Sequence, residues 1–114
     1  MNRKDIIKRL DSLDIPRHKY VVLFGASMVM RGLRDETADI DLATTKDSVH
    51  KTLYLPGFDV SDDIDRFDYE LVNGYQCQKL EDILKWKKIW NRPKDRNDIL
   101  EIEEVLNGVE RKTM

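Results

Sequence analysis

The chain has 114 residues, 37% charged and 40% apolar, with a formal net charge of −2 at pH 7. That size allows one domain around one core with no separate substrate domain, and that charge gives no general polyanion-binding surface. A lone cysteine, Cys77, excludes an internal disulfide framework, and with no apolar run near the roughly 18–20 residues of a membrane span and no signal-peptide core, a cytoplasmic protein is expected.

Residues 2–13 predict a helix: Ile6, Ile7, Leu10 and Leu13 form its apolar stripe, Asn2 and Asp5 resemble a cap, and Asp14-Ile15-Pro16 stops it. Tyr20-Val21-Val22-Leu23-Phe24 is an apolar run of strand length, expected in the centre of a sheet covered on both faces. Gly25 punctuates it, and residues 26–33 predict a short helix ending near Gly32. A connection follows, and then a second strand over residues 39–43. Residues 52–55 and 58–60 predict two short strands divided by Pro56-Gly57. Residues 69–72 and 75–78, joined by Asn73-Gly74, carry a two-residue hairpin signal. Residues 80–90 predict a helix. Pro93 fits the first turn of a last helix running to about residue 106, with Gly108 as its C-cap. The fold class is α/β or α+β, a small mixed sheet with about four helices in one domain over residues 1–114.

The chemistry centres on Asp39-Ile40-Asp41-Leu42. Alternation along a strand sends Asp39 and Asp41 to one side and Ile40 and Leu42 to the other. Two neighbouring carboxylates repel unless a cation stands between them, and Mg²⁺ held by one or two carboxylates plus substrate phosphates is a common solution. Upstream, the turn Phe24-Gly25-Ala26-Ser27 offers a small residue for close approach and a hydroxyl, Ser27, that serves equally as a helix N-cap or a phosphate contact. A third carboxylate would complete a metal-binding set. Asp59 in Phe58-Asp59-Val60 is preferred to Asp68 in Phe67-Asp68-Tyr69, because it follows the acidic strand by one connection and has core-like neighbours. Lys87 falls in the apolar phase of its helix, so its ammonium either reaches solvent along its stem or enters a polar cleft. Trp86 and Trp90 are expected as core anchors. Arg92, Lys94 and Arg96 gather at a helix start, where the dipole disfavours cations, so Asp95 or a phosphate is expected beside them.

Two blocks carry a resemblance: Val22-Leu23-Phe24-Gly25-Ala26-Ser27 through Arg31-Gly32-Leu33-Arg34 to Thr37-Ala38-Asp39-Ile40-Asp41-Leu42, and Leu80-Glu81-Asp82-Ile83-Leu84 with Lys87 and Arg92-Pro93-Lys94-Asp95 to Asp98-Ile99. Together they resemble the polymerase-beta-like nucleotidyltransferase superfamily, in particular its minimal antibiotic-modifying and toxin–antitoxin members, over residues 20–106. The resemblance implies Mg²⁺ as cofactor, a nucleoside triphosphate as substrate, and an acceptor hydroxyl on a small molecule, a tRNA or a protein. It implies Asp39, Asp41 and Asp59 as metal ligands, with Asp59 also the general base, and Gly25, Ser27, Arg31, Lys87 and Lys94 at the nucleotide. The first Gly of the family's usual pair falls on Phe24, giving a bulkier turn. The alternative is an inactive member kept as an interaction module, such as a toxin–antitoxin component. A cleft this small also leaves room for completion by a second copy in a homodimer. A nucleic-acid-binding domain built on residues 92–96 is disfavoured by the net charge.

Overall fold

Asn2 caps the first helix, α1 (Arg3–Asp11). Its side chain accepts from the Asp5 N–H at 2.9 Å, and the Asp5 carboxylate accepts from the Asn2 N–H at 3.1 Å, so two of the helix's orphan donors are satisfied reciprocally. This computed structural model describes residues 1–52 and 54–113, with side chains in the last helix described through residue 108. It divides into two units, Met1–Lys79 and Leu80–Met114.

In the first unit, α1 is followed by β1 (Tyr20–Leu23), buried along its whole length, and α2 (Phe24–Met30) starts with no residue between. Past α2, Gly32 adopts φ 75°. The Gly32 N–H donates to the Val29 carbonyl and the Leu33 N–H to the Met28 carbonyl, both at 3.0 Å. This is a Schellman motif, and the left-handed residue it needs is free of steric penalty only as glycine. It turns the chain back toward β2 (Ile40–Thr44). Then come β3 (Phe58–Ser61), β4 (Tyr69–Val72) and β5 (Tyr75–Gln78). The strands form one mixed sheet in the order β3-β2-β1-β5-β4. β1–β2 and β4–β5 run antiparallel, β2–β3 and β1–β5 parallel. As the Asn-Gly pair predicts, both turn residues of the β4–β5 hairpin have positive φ, 52° at Asn73 and 85° at Gly74.

Alternation divides the sheet's residues cleanly. Tyr20, Val22, Ile40, Leu42, Tyr75 and Cys77 pack with Ile6, Leu10 and Ile15 and with Ala26, Val29 and Met30 of α2. Val21, Leu23 and Ala43 form a smaller apolar group on the other face, with Phe24, Ile64 and Phe67 against it. Each such fully buried aliphatic contributes roughly 1.5–3 kcal/mol by leaving water.

Three expectations need correcting. The strand expected at residues 52–55 is absent among its described residues: Val49–Lys51 is a single 3-10 turn and Thr52 and Tyr54 continue as turn, while Leu53 lies outside the described residues. Local bonding wins there. The Thr52 hydroxyl donates to the Val49 carbonyl at 2.8 Å and the Leu55 N–H to the Thr52 carbonyl at 3.1 Å, which gives the backbone partners a ladder would otherwise supply. In the second unit, α3 (Leu80–Trp90) matches the expected helix, and a 3-10 turn (Pro93–Asp95) leads into α4 (Arg96–Thr113). That helix runs through Gly108, which has no positive φ and so is not a C-cap. Ile83 and Ile102 are fully buried, but Trp90 is 40% exposed and is no core anchor; the Arg92 guanidinium lies over its ring at 4.6 Å.

Candidate active site

Strand register decides which acids meet. Asp41 pairs with Asp59 across the parallel β2–β3 ladder, and with Leu23 across the antiparallel β1–β2 ladder. Neighbouring strands stand about 4.8 Å apart and paired residues share a face, so Asp41 and Asp59 lie side by side. Leu23 is the last residue of β1, so Asp41 stands level with the strand end from which α2 starts, with Asp59 one strand further out. Asp59 is exposed and Asp41 half-buried. Asp39 stands one residue before β2, in a bend and exposed; the Thr37 hydroxyl donates to its carbonyl at 3.2 Å. Asp68 precedes β4, which forms the opposite edge of the sheet from β3. The choice between Asp59 and Asp68 was open in the sequence, and strand order puts Asp59 beside Asp41.

Comparison with protein-family models, characterised proteins and solved structures returns no match.

The turn carries an unusual backbone. Phe24 has φ 44°, in the left-handed region that bulky residues rarely occupy. A strand that becomes a helix without a loop residue needs such a sharp change of direction. Phe24 is held there by its N–H donating to Gln78 Oε1 at 2.9 Å and by an edge-to-face contact with Phe67, centroids 6.1 Å apart. The first glycine of the resembled pattern would fall on this position, and φ here is one that glycine adopts freely.

Gly25 is the point of closest approach. A Cβ there would stand 2.9 Å from Arg34 Nη1 and 3.2 Å from Thr37 Oγ1. The segment returning from the Schellman motif therefore lies over the turn, steadied by a 2.9 Å bond from the Thr37 N–H to the Met1 carbonyl. Arg34 and Thr37 carry no motif of their own in the sequence. Their signal was a helix stop at Gly32 followed by Arg34 and Thr37 just ahead of the first acid.

The remaining expected nucleotide contacts are placed as follows. Ser27 is fully buried and its hydroxyl donates to the Gln78 carbonyl at 2.9 Å. Neither the N-cap nor an exposed phosphate contact describes it, since Leu23 holds the cap position. Arg31 braces the hairpin, donating to Glu70 Oε1 at 2.6 Å and to the Gln78 carbonyl at 3.0 Å. Lys87 and Lys94 belong to the second unit. The Lys87 ammonium is 3.2 Å from Asp95 Oδ1 and 3.1 Å from Asp98 Oδ2, with its side chain only 7% exposed. Its apolar phase leads to neither solvent nor an open cleft but to a buried ion network. Asp95 also accepts from Arg92, at 2.7 Å from Nε and 3.1 Å from Nη2; those bonds, and then Lys87, lower its pKa to about 2. Asp95 is thus the anion expected beside Arg92, while Lys94 stays exposed.

The donor chemistry at Asp39, Asp41 and Asp59 is all carboxylate oxygen, which suits a hard divalent cation. Among the described residues no group of three or more His, Cys, Asp or Glu side chains is gathered to hold a metal ion. A two-carboxylate Mg²⁺ site is compatible with that, because this ion takes one or two protein carboxylates and draws its other ligands from phosphates and water. No helix of the described residues is long and apolar enough to cross a membrane.

Proposed function

We propose that this chain is a minimal nucleotidyltransferase, moving a nucleoside monophosphate from a nucleoside triphosphate to an acceptor hydroxyl. The observation that carries the reading is the pairing of Asp41 with Asp59, next to Leu23 at the mouth of the Gly25 turn. Asp39 and Asp41 would hold Mg²⁺, which when bound neutralises phosphate charge and polarises the α-phosphate. Asp59, exposed at the edge strand, accepts the proton of the acceptor hydroxyl. The acceptor oxygen bonds to the α-phosphorus, the bond to the bridging oxygen breaks, and pyrophosphate leaves. Positioning and charge neutralisation make up most of the catalytic work in phosphoryl chemistry of this kind. The single buried Cys77 suits a reducing, cytoplasmic setting.

The test is isothermal titration of the wild type, Asp41→Asn and Asp59→Asn with ATP, GTP, CTP and UTP, with and without Mg²⁺. Mg²⁺-dependent binding of at least one nucleotide, lost with Asp41→Asn, supports the proposal. Binding that ignores both substitutions refutes it.

A second reading has its own observation. The Phe24 amide and the Ser27 hydroxyl, two donors near the turn, are already given to Gln78. A non-enzymatic interaction module on the same fold needs no open donors there, and a folded protein that binds no nucleotide would favour it.

A further inference from the structure

We propose that Arg34 is the cation that reads the phosphate chain in this site, and that Gly25 is glycine to let the Arg34 guanidinium reach the turn. The inference rests on the nucleotidyltransferase reading above and goes beyond it by assigning a residue and a reason.

Gly25 is not explained by its backbone. It sits inside α2 and is absent from the positive-φ residues, so alanine would suit its conformation and gain helix propensity. Space explains it instead. The contact a Cβ would meet first is the Arg34 guanidinium at 2.9 Å, the second the Thr37 hydroxyl at 3.2 Å. The Arg34 guanidinium therefore lies against the first turn of α2, which starts directly after Leu23, the register partner of Asp41. The fold builds this placement from its own parts. The Schellman motif at Gly32 reverses the chain, and Thr37 is tied by its N–H to the Met1 carbonyl and by its hydroxyl to the Asp39 carbonyl. Arg34 is exposed and stays charged at any physiological pH. A planar fork of donors beside paired carboxylates suits an anion that also binds a cation, which is the chemistry of a metal-complexed polyphosphate.

The experiment titrates wild type, Arg34→Gln, Arg34→Lys, Gly25→Ala and Asp41→Asn with Mg²⁺ and inorganic tripolyphosphate, then with ATP, ADP and AMP. Thermal melts confirm that each variant is folded. For the wild type, affinity should rise with phosphate number. Arg34→Gln should weaken tripolyphosphate and ATP roughly ten- to a hundredfold, the loss of one charge-assisted contact, and flatten the rise from AMP to ATP. Arg34→Lys should recover part of it. Gly25→Ala should melt no lower than the wild type yet weaken ATP, because the methyl displaces the guanidinium. Unchanged ATP affinity in Arg34→Gln, with Asp41→Asn still abolishing binding, overturns the Arg34 assignment and leaves the nucleotidyltransferase reading standing. A folded wild type that binds neither tripolyphosphate nor any nucleotide overturns both.

Discussion

Replacing Lys87 with methionine keeps the length of the side chain and removes the charge at the centre of the second unit's ion network. Lys87, Asp95 and Asp98 have side chains 7%, 2% and 13% exposed, with the ammonium 3.2 and 3.1 Å from the two carboxylates. Breaking a buried pair on one side typically costs about 3–5 kcal/mol, because the remaining charge is stranded away from water. Here Asp95 keeps its two bonds from the Arg92 guanidinium and one from the Arg92 N–H, so the expected loss is smaller, about 2–3 kcal/mol. For a chain of this size that lowers the melting temperature on the order of 10 °C. Both tryptophans, Trp86 and Trp90, lie in α3, so intrinsic fluorescence during urea or thermal unfolding reports on this unit directly. The pH dependence follows from Asp95. Its folded pKa is lowered to about 2, by the Arg92 bonds first. A lowered carboxylate pKa means stability that is fully present above the unfolded value near 4 and lost as pH falls through the folded one. The gap between wild type and Lys87→Met should therefore be constant from pH 8 to 5 and shrink as pH falls from about 4 toward 2. A variant within about 0.5 kcal/mol of wild type at pH 7 would show that the network is not desolvated and refute the reasoning.

At Phe24 the usual order of small residues should invert: Phe24→Gly should be more stable than Phe24→Ala by about 1 kcal/mol in urea titrations, since φ 44° is free for glycine and strained for alanine. Equal stabilities would mean that the turn relaxes once the ring is gone. Gly74→Ala should destabilise by about 1–2 kcal/mol, because φ is 85° and the new methyl would stand 3.1 Å from Arg17 Nη1. Cys77 is fully buried, and burial raises its thiol pKa to about 11. It should resist iodoacetamide at pH 8 in the folded protein and react once urea unfolds it, as followed by mass spectrometry.

Much of this architecture was readable from local pattern. The Asn2–Asp5 cap, the Asn73-Gly74 hairpin and the α3 boundaries all rest on short-range rules, and the structure has each of them. The acidic strand was legible too, though it begins at Ile40 and leaves Asp39 in a bend. Long-range geometry was not legible. Nothing in Ser27 announces that its hydroxyl will be buried against the Gln78 carbonyl, because that partner arrives from β5. Lys87 looked like a phase error in an apolar stripe, and its meaning depended on Asp95 from the following 3-10 turn and Asp98 from α4. Arg34 over Gly25 depends on the reversal at Gly32, a glycine that could be read as a stop but not as a direction. At residues 52–55 β-forming side chains misled, since Thr52 closes its own turn and Pro56 follows at once.

The parallel pairing of Val22 with Cys77 sets an order of events as the chain is made. α1, β1, α2, β2 and β3 can associate early, but one side of β1 has no strand beside it until β5 has left the ribosome. Until then the backbone groups along Val21 and Val22 form an open apolar edge, the kind of template on which chains join one another. The β4–β5 hairpin, nucleated locally at Asn73-Gly74, closes that edge in one step. Substitutions that slow the hairpin should therefore lower soluble yield during expression more than their effect on final stability would suggest.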